Sequence, residues 1–348
     1  MAEKLPVVVA SVVFGIAASL AFAADRASPP AYSIAKYVSL GAPEKWDFVR
    51  YDPSSDRAYV SHRTKVDVVD VGQGKIVGEV PDIGESHDVA IVPSLNRGYA
   101  DDAAAQRVIV FDLKTLSKIA TVPVGVDADA MAFDPATSRV FVMNADGNSV
   151  TAIDAVKNAA LRTVPLGGAP EMAVADGAGK LFINIASTNE VVAFDTHSLA
   201  IQARWPVAAC EKPHGLAMDP HTRRLFVTCA NARMLVLDAE NGKVLANLGI
   251  GRGTDGAAFD PVRKLAFSSN GDSTLSVVAE RNPGTFESLG DIKTVPGART
   301  MSLDPRSGRI FLVSGIAAKI EPPATPAEHP HITYAPNSAR LLILERPR

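Results

Sequence analysis

The chain has 348 residues, 47% of them hydrophobic and 21% charged, an ordinary globular composition with ample material for a large core. Lys plus Arg (35) nearly balance Asp plus Glu (38), and the formal net charge of −3 comes with no long basic run. A nucleic-acid binder, which needs a clustered positive surface, is therefore not expected.

Residues 1–23 read as an export signal. Lys4 and the amino terminus precede the apolar run "LPVVVASVVFGIAASL", and Ala21 and Ala23 stand where a signal peptidase reads small residues, just before polar "ADRASPP". The alternative is an N-terminal anchor, since the run approaches the length that spans a bilayer of ~30 Å. Cleavage near Ala23/Ala24 predicts a periplasmic or secreted protein. No other segment is apolar enough to cross a membrane. Residues 24–31 read as a disordered linker.

From residue 32 onward one pattern recurs every 40 to 44 residues: "YDPSSDRAYV", "IVPSLNRGYA", "FDPATSRVFV", "VADGAGKLFI", "MDPHTRRLFV", "FDPVRKLAF" and "LDPRSGRIFL". Asp-Pro with small polar residues sets a tight turn, because proline fixes φ and the Asp carboxylate bonds the backbone ahead of it. Each turn joins two short strands. A third apolar run follows, usually ending in Asp (Asp70, Asp112, Asp154, Asp195, Asp238), and a fourth closes the unit, as in "KIATVPVG". Strands of this kind without helical period predict one four-stranded antiparallel sheet per repeat. The last repeat supplies only three strands, and "AYSIAKYVSLGAPEKW" ahead of the first reads as the missing fourth. The expected fold is all-β: a seven-bladed β-propeller over 32–348, its ring closed by the N-terminal strand completing the last blade.

These repeats resemble the YVTN family of β-propeller repeats, through "AYVSH", "LFVTCAN" and "VFVMNAD". More closely, the mature chain resembles the exported bacterial YncE-like proteins, through "SHDVAIVP", "APEMAVADGAGKLFIN", "ARWPVAACEKPHGLAMDP", "GTDGAAFDP" and "GARTMSLDP". The resemblance implies a periplasmic seven-bladed propeller and no established reaction.

In a propeller the first strand of each blade lines the central channel. Counting six residues back from each turn anchor gives the mouth-facing column Asp47, His87, Asp129, Pro170, His214, Asp255 and Arg299, with Glu171 next to Pro170. One reading is mutual satisfaction at a solvated pore: His87 with Asp47 or Asp129, Arg299 with Asp255. The other is a ligand pocket, because converging acids and imidazoles mark binding or catalytic sites. His87, Asp129, His214 and Asp255 are the candidate ligands for a divalent metal, the one cofactor considered. His214 departs from the family pattern, which more often has a small hydroxyl residue there, so a site that needs it is peculiar to this branch. The loops after the second strands are expected to add a polar rim: His62, Arg63, Asp101, Asp102, Asn144, Asp146, Asn184, Asn231, Asn270 and Asp272.

Cys210 enters the first strand of blade five, and Cys229 ends the second strand of the same hairpin. A disulfide is the leading reading, which the family resemblance supports, with a Cys-Cys-His metal site as the alternative. His221, seven residues from His214 along an extended chain, sits in a solvent-facing turn roughly 20 Å away and shares no metal with it. The blade-seven insertion 315–338 holds five prolines, which argues against a helix or a paired strand there. It is expected as a lid bearing His329, His331 and Tyr334, or as a disordered decoration.

Functionally, the chain reads as an exported propeller binding a small polar ligand, a metal ion or a periplasmic protein at the channel mouth. No G-x-S-x-G nucleophile is present. The alternative is a lactonase-like hydrolase or lyase, with Glu171 or Asp129 as base and His87 or His214 as partner. A quinoprotein or haem oxidoreductase is disfavoured, because no attachment motif is present and only two tryptophans, Trp46 and Trp205, are available.

Overall fold

The computed structural model describes residues 1–3, 28–43, 45–322 and 330–347. Residues 4–23 of the segment read as an export signal, the Ala23/Ala24 site and His329 thus lie outside the described residues.

Six antiparallel sheets of four strands follow one another along the chain, over residues 49–80, 89–123, 128–165, 170–206, 213–249 and 254–293. A seventh combines Met301–Leu303, Ile310–Ser314 and Ala339–Glu345 with Ser33–Gly41 from the other end of the chain. Ser33 pairs with Glu345 and Gly41 with Ala339. The ring is therefore closed by hydrogen bonds between the two ends of the chain. On this strand Val38 and Leu40 are buried among Val71, Leu341 and Ile343, whereas Ser39 between them is exposed.

The recurring turn chemistry is visible residue by residue. Asp52 accepts from the Ser54 N–H and the Ser54 and Ser55 hydroxyls. Asp134, Asp219, Asp260 and Asp304 repeat this with the N–H two residues on. The aspartates ending the third strands hold the next turn in the same way, as Asp112 does for Lys114 and Thr115. Each second strand then buries one aromatic ring: Tyr59, Tyr99, Phe141, Phe182, Phe226, Phe267 and Phe311, all without exposed surface. A buried ring of this size contributes roughly 1.5–3 kcal/mol, and here one is wedged into every blade. Arginines opening the second strands tie the blades together: Arg57 donates to the Leu113 carbonyl and Arg97 to that of Val156, each in the next blade.

Cys210 and Cys229 form a disulfide with Cα atoms 5.2 Å apart, fixing the entry loop of blade five to its second strand. The closed loop spans a sequence separation of 19. In the chain-entropy model, tying such a loop removes about 3 kcal/mol of unfolded-state freedom. Urea titration of Cys210→Ser/Cys229→Ser is expected to show a loss of that order, matched by the wild type under reductant. Equal stability with and without the bond would contradict it.

The insertion of blade seven departs from expectation. Ala317–Glu321 and His331–Tyr334 pair as a two-stranded antiparallel ribbon. The prolines fall between and after these two segments, at 322, 323, 326, 330 and 336. Counted over the whole insertion they hide two short proline-free runs. The ribbon folds back onto the wheel, where Tyr334 packs edge-on against Trp46 with ring centroids 4.6 Å apart.

Candidate functional site

The inner strands bring the sequence column together at one end of the channel. In four blades the register slips at the residue in question: between Ala128 and Ala130, between Pro170 and Ala173, between Pro213 and Leu216, and between Thr254 and Gly256. Asp129, Glu171, His214 and Asp255 each lie in such a slip. A bulge re-aims a side chain out of the pleat, here toward the axis. Two of these sites require glycine for close approach. A Cβ on Gly215 would stand 2.8 Å from the Ala257 nitrogen, and one on Gly256 would stand 2.9 Å from that of Met301. "HGL" and "DGA" thus let neighbouring inner strands converge on the mouth.

Asp47, His87 and His214 are also held by their neighbours through the backbone. The Phe48 N–H donates to the His87 carbonyl, Thr300 to that of Asp47, and Asn184 to those of His214 and Gly215. Asp101, fully buried, accepts the N–H groups of His87 and Asp88. It fixes the loop that carries His87.

The column resolves into two triads from consecutive blades. In the first, His87 Nδ1 donates to Asp47 Oδ2 at 2.9 Å and lies 3.5 Å from Asp129 Oδ1. In the second, His214 Nδ1 is 3.5 Å from Glu171 Oε2 and 4.0 Å from Asp255 Oδ1, with no hydrogen-bond partner of its own. Within each triad one ligand atom per residue falls within 4.8 Å of the others. Arg299, from blade seven, pairs with Asp255 at 3.1 Å. Side-chain exposure runs from 15% at Asp255 to 43% at Arg299, so the site opens to solvent.

The four residues chosen from sequence as one metal set, His87, Asp129, His214 and Asp255, are accordingly divided between the triads. The reason is geometric: on a ring the nearest partner comes from the adjacent blade. The rim expectation needs a larger correction. His62, Asp101, Asp102, Asn144, Asn184 and Asn270 have no exposed surface. They end the second strands with side chains turned inward. Asn144 donates to Ser149 and Thr151 while accepting from the Gly125 N–H, and Asn270 donates to Thr274 and Ser276. His62 is enclosed by Asp67 and the Pro43 carbonyl. His221 is exposed in the outer turn, as expected. Sequence reading missed one pair: Arg50 donates to Asp88 at 2.6 Å, and Asp88 also accepts the Met131 N–H. The signal was a lone arginine in the apolar inner strand "FVRYDP".

Electrostatics separate the triads further. Burial alone would lower the His87 pKa, but the hydrogen bond and charge of Asp47 outweigh it and raise it to about 9. Burial and the charges of Asp47 and Glu171 hold the Asp129 carboxyl well above its ordinary range. For His214, burial is again outweighed, by Glu171 and Asp255, and its pKa is raised. Because the folded pKa of His87 exceeds the unfolded value of about 6.5, its stabilisation is complete below that pH and lost as pH rises through about 9. The stability difference between wild type and His87→Gln, measured by denaturant titration, is expected to be largest near pH 6 and to shrink toward pH 9. A pH-independent difference would contradict the pairing with Asp47.

No protein-family model and no curated protein matches the chain. Among solved structures it is similar to a chain of the Kuenenia stuttgartiensis hydrazine synthase, at 16% identity over 82% of this chain and 96% of that one, with a TM-score of 0.70. It is similar to the WD40 repeats of RRP9, at 12% identity over 92% of this chain and 100% of that one, with a TM-score of 0.74. A chain of the mitotic checkpoint complex matches at 13% identity over 96% of this chain and 98% of that one, with a TM-score of 0.71. At these identities the likeness carries the fold alone.

Proposed function

We propose that this propeller is a non-catalytic, exported binding protein of the YVTN, YncE-like kind, and that its channel mouth holds a divalent transition-metal ion between Glu171, His214 and Asp255. The observation that carries the reading is His214 Nδ1, ion-paired with two carboxylate oxygens at 3.5 and 4.0 Å without closing a well-formed hydrogen bond to either. Bonds of 2.0–2.2 Å in tetrahedral geometry place neighbouring ligand atoms roughly 3.4 Å apart. A hydrogen-bonded triad would be tighter, as the 2.9 Å contact of His87 with Asp47 is. An imidazole with two carboxylates suits zinc or another first-row divalent ion. The disulfide supports export, since such bonds persist in oxidising compartments, and no helix of the described residues is long and apolar enough to cross a membrane.

Isothermal titration of the untagged protein with zinc is expected to give saturable binding at one site. Metal and proton compete for His214, so affinity should fall about tenfold per pH unit once the imidazole is protonated. Absence of saturable heat at pH 7.5, or affinity independent of pH between 5.5 and 7.5, removes the reading.

A lactonase-like hydrolase is the second reading, favoured by one observation: Asp129, held above its ordinary carboxylate range, lies 3.5 Å from His87. A panel of lactones, with and without zinc, tests it. Turnover that vanishes in Asp129→Asn supports it, and a flat panel in every condition removes it.

A further inference from the structure

We propose that Asp219 and Glu280 share a single proton across the seam between blades five and six, a clasp that holds at mildly acidic pH and loosens as that proton is lost. This goes beyond the metal reading and stands without it. Asp219 ends the inner strand Pro213–Asp219 of blade five, at the end remote from His214, and Glu280 lies on the third strand of blade six, Thr274–Asn282.

The slot that Glu280 fills holds an uncharged residue in five other blades. There Val71, Leu113, Ala155, Thr196 and Ala239 are buried, and the N–H of each donates to a carbonyl in the turn that opens the second strand. Glu280 makes the same bond, to the Lys264 carbonyl. The aspartate that precedes the slot in those five blades is Ala279 here. Glu280 is 3% exposed, and among the described residues no donor reaches either of its carboxyl oxygens.

Its carboxyl meets that of Asp219 instead. Asp219 is 1% exposed and accepts the His221 N–H and the Thr222 hydroxyl, both at 2.9 Å. The Thr222 hydroxyl also stands beside Glu280, but its one proton goes to Asp219. The basic side chains around the seam are engaged elsewhere: Arg223 with Asp176 and Glu240, Arg224 with Asp238, and Arg263 with Asp260. Lys264 is exposed, as is the His221 ring. Two buried carboxyls in contact without a counter-ion do not both ionise, because each is poorly solvated and repels the other. Asp219 has the donors and keeps the charge. Glu280 has none, so it takes the proton and donates it to Asp219. The directions of titration agree: burial, with the contact and charge of Asp219, pushes the Glu280 carboxyl above its ordinary range. At Asp219 burial is outweighed by the His221 N–H and the Thr222 hydroxyl, which hold it below.

A carboxyl whose folded pKa is raised contributes stability that is complete below the unfolded value of about 4.3 and lost as pH rises through the folded value. Glu280→Gln keeps a donor toward Asp219 and removes the titration. Denaturant titrations of variant and wild type at each pH cancel the groups common to both, His221 included. The folding constant of Glu280→Gln relative to wild type should rise by up to about tenfold per pH unit until the proton is lost, and by at least about fivefold between pH 4.5 and 7.5. Glu280→Ala, which installs the residue that fills this slot in blades three and five, should show the same rise. Infrared spectra, wild type minus variant, should contain one protonated carboxyl at pH 5 that fades by pH 8. Three results would each overturn the proposal. One is a ratio that is flat with pH and no carboxyl band. Another is a variant weaker than wild type by the same factor at every pH, which would mean that Arg224, whose Nε has no partner, swings across to pair with Glu280. The third is stabilisation of the wild type by calcium that Glu280→Gln abolishes, which would put a cation in place of the proton.

Discussion

Val38→Asp/Leu40→Asp is expected to destabilise the wheel by more than about 4 kcal/mol, the range reserved for unpaired charges forced into a core. Both side chains are nearly fully buried, at 3% and 5% exposure, on the strand that joins the two ends of the chain. Charging them strips the outermost strand from blade seven and leaves the edge of Ala339–Glu345 unpaired. Ser39→Asp, exposed on the same strand, is the internal control and should change stability by less than about 0.5 kcal/mol. Urea titrations with circular dichroism measure both. A double variant as stable as Ser39→Asp would mean that the ring does not depend on its closing strand.

The second large effect concerns the mouth. His214→Ala should weaken zinc binding by at least 100-fold, about 2.7 kcal/mol, because it removes the one nitrogen ligand of its triad. His87→Gln should act in the opposite sense. With its pKa raised to about 9, His87 carries a proton at pH 7.5 and opposes an incoming cation. Removing that charge should leave zinc affinity unchanged or modestly tighter. Equal losses in both variants would point to a single site shared between the triads, and no loss in His214→Ala would place the metal elsewhere.

The fold was legible because its signals are local and repeated. Asp-Pro turns, one aromatic per second strand and an orphan strand in "SIAKYVSLG" each carry their own physical cause, and seven copies remove ambiguity. The mouth column was legible for the same reason, since a fixed offset from each turn finds the same end of every inner strand. Which neighbours meet was not legible. The slips that turn Asp129, Glu171, His214 and Asp255 toward the axis depend on pairing registers that no single strand encodes. The polar ends of the second strands misled, because Asn144 and Asn270 look like a rim until their partners across the turn are known. Asp101 read as a rim residue, although its carboxylate is consumed by two backbone N–H groups. The ribbon was hidden by averaging proline over the whole insertion.

An anomalous difference map of crystals soaked in zinc, recorded on both sides of the zinc edge, addresses the mouth most directly. The account predicts one strong peak within bonding distance of His214 Nδ1 and of carboxylate oxygens from Glu171 and Asp255. A mouth without a peak, in crystals that bind zinc elsewhere or not at all, would contradict it.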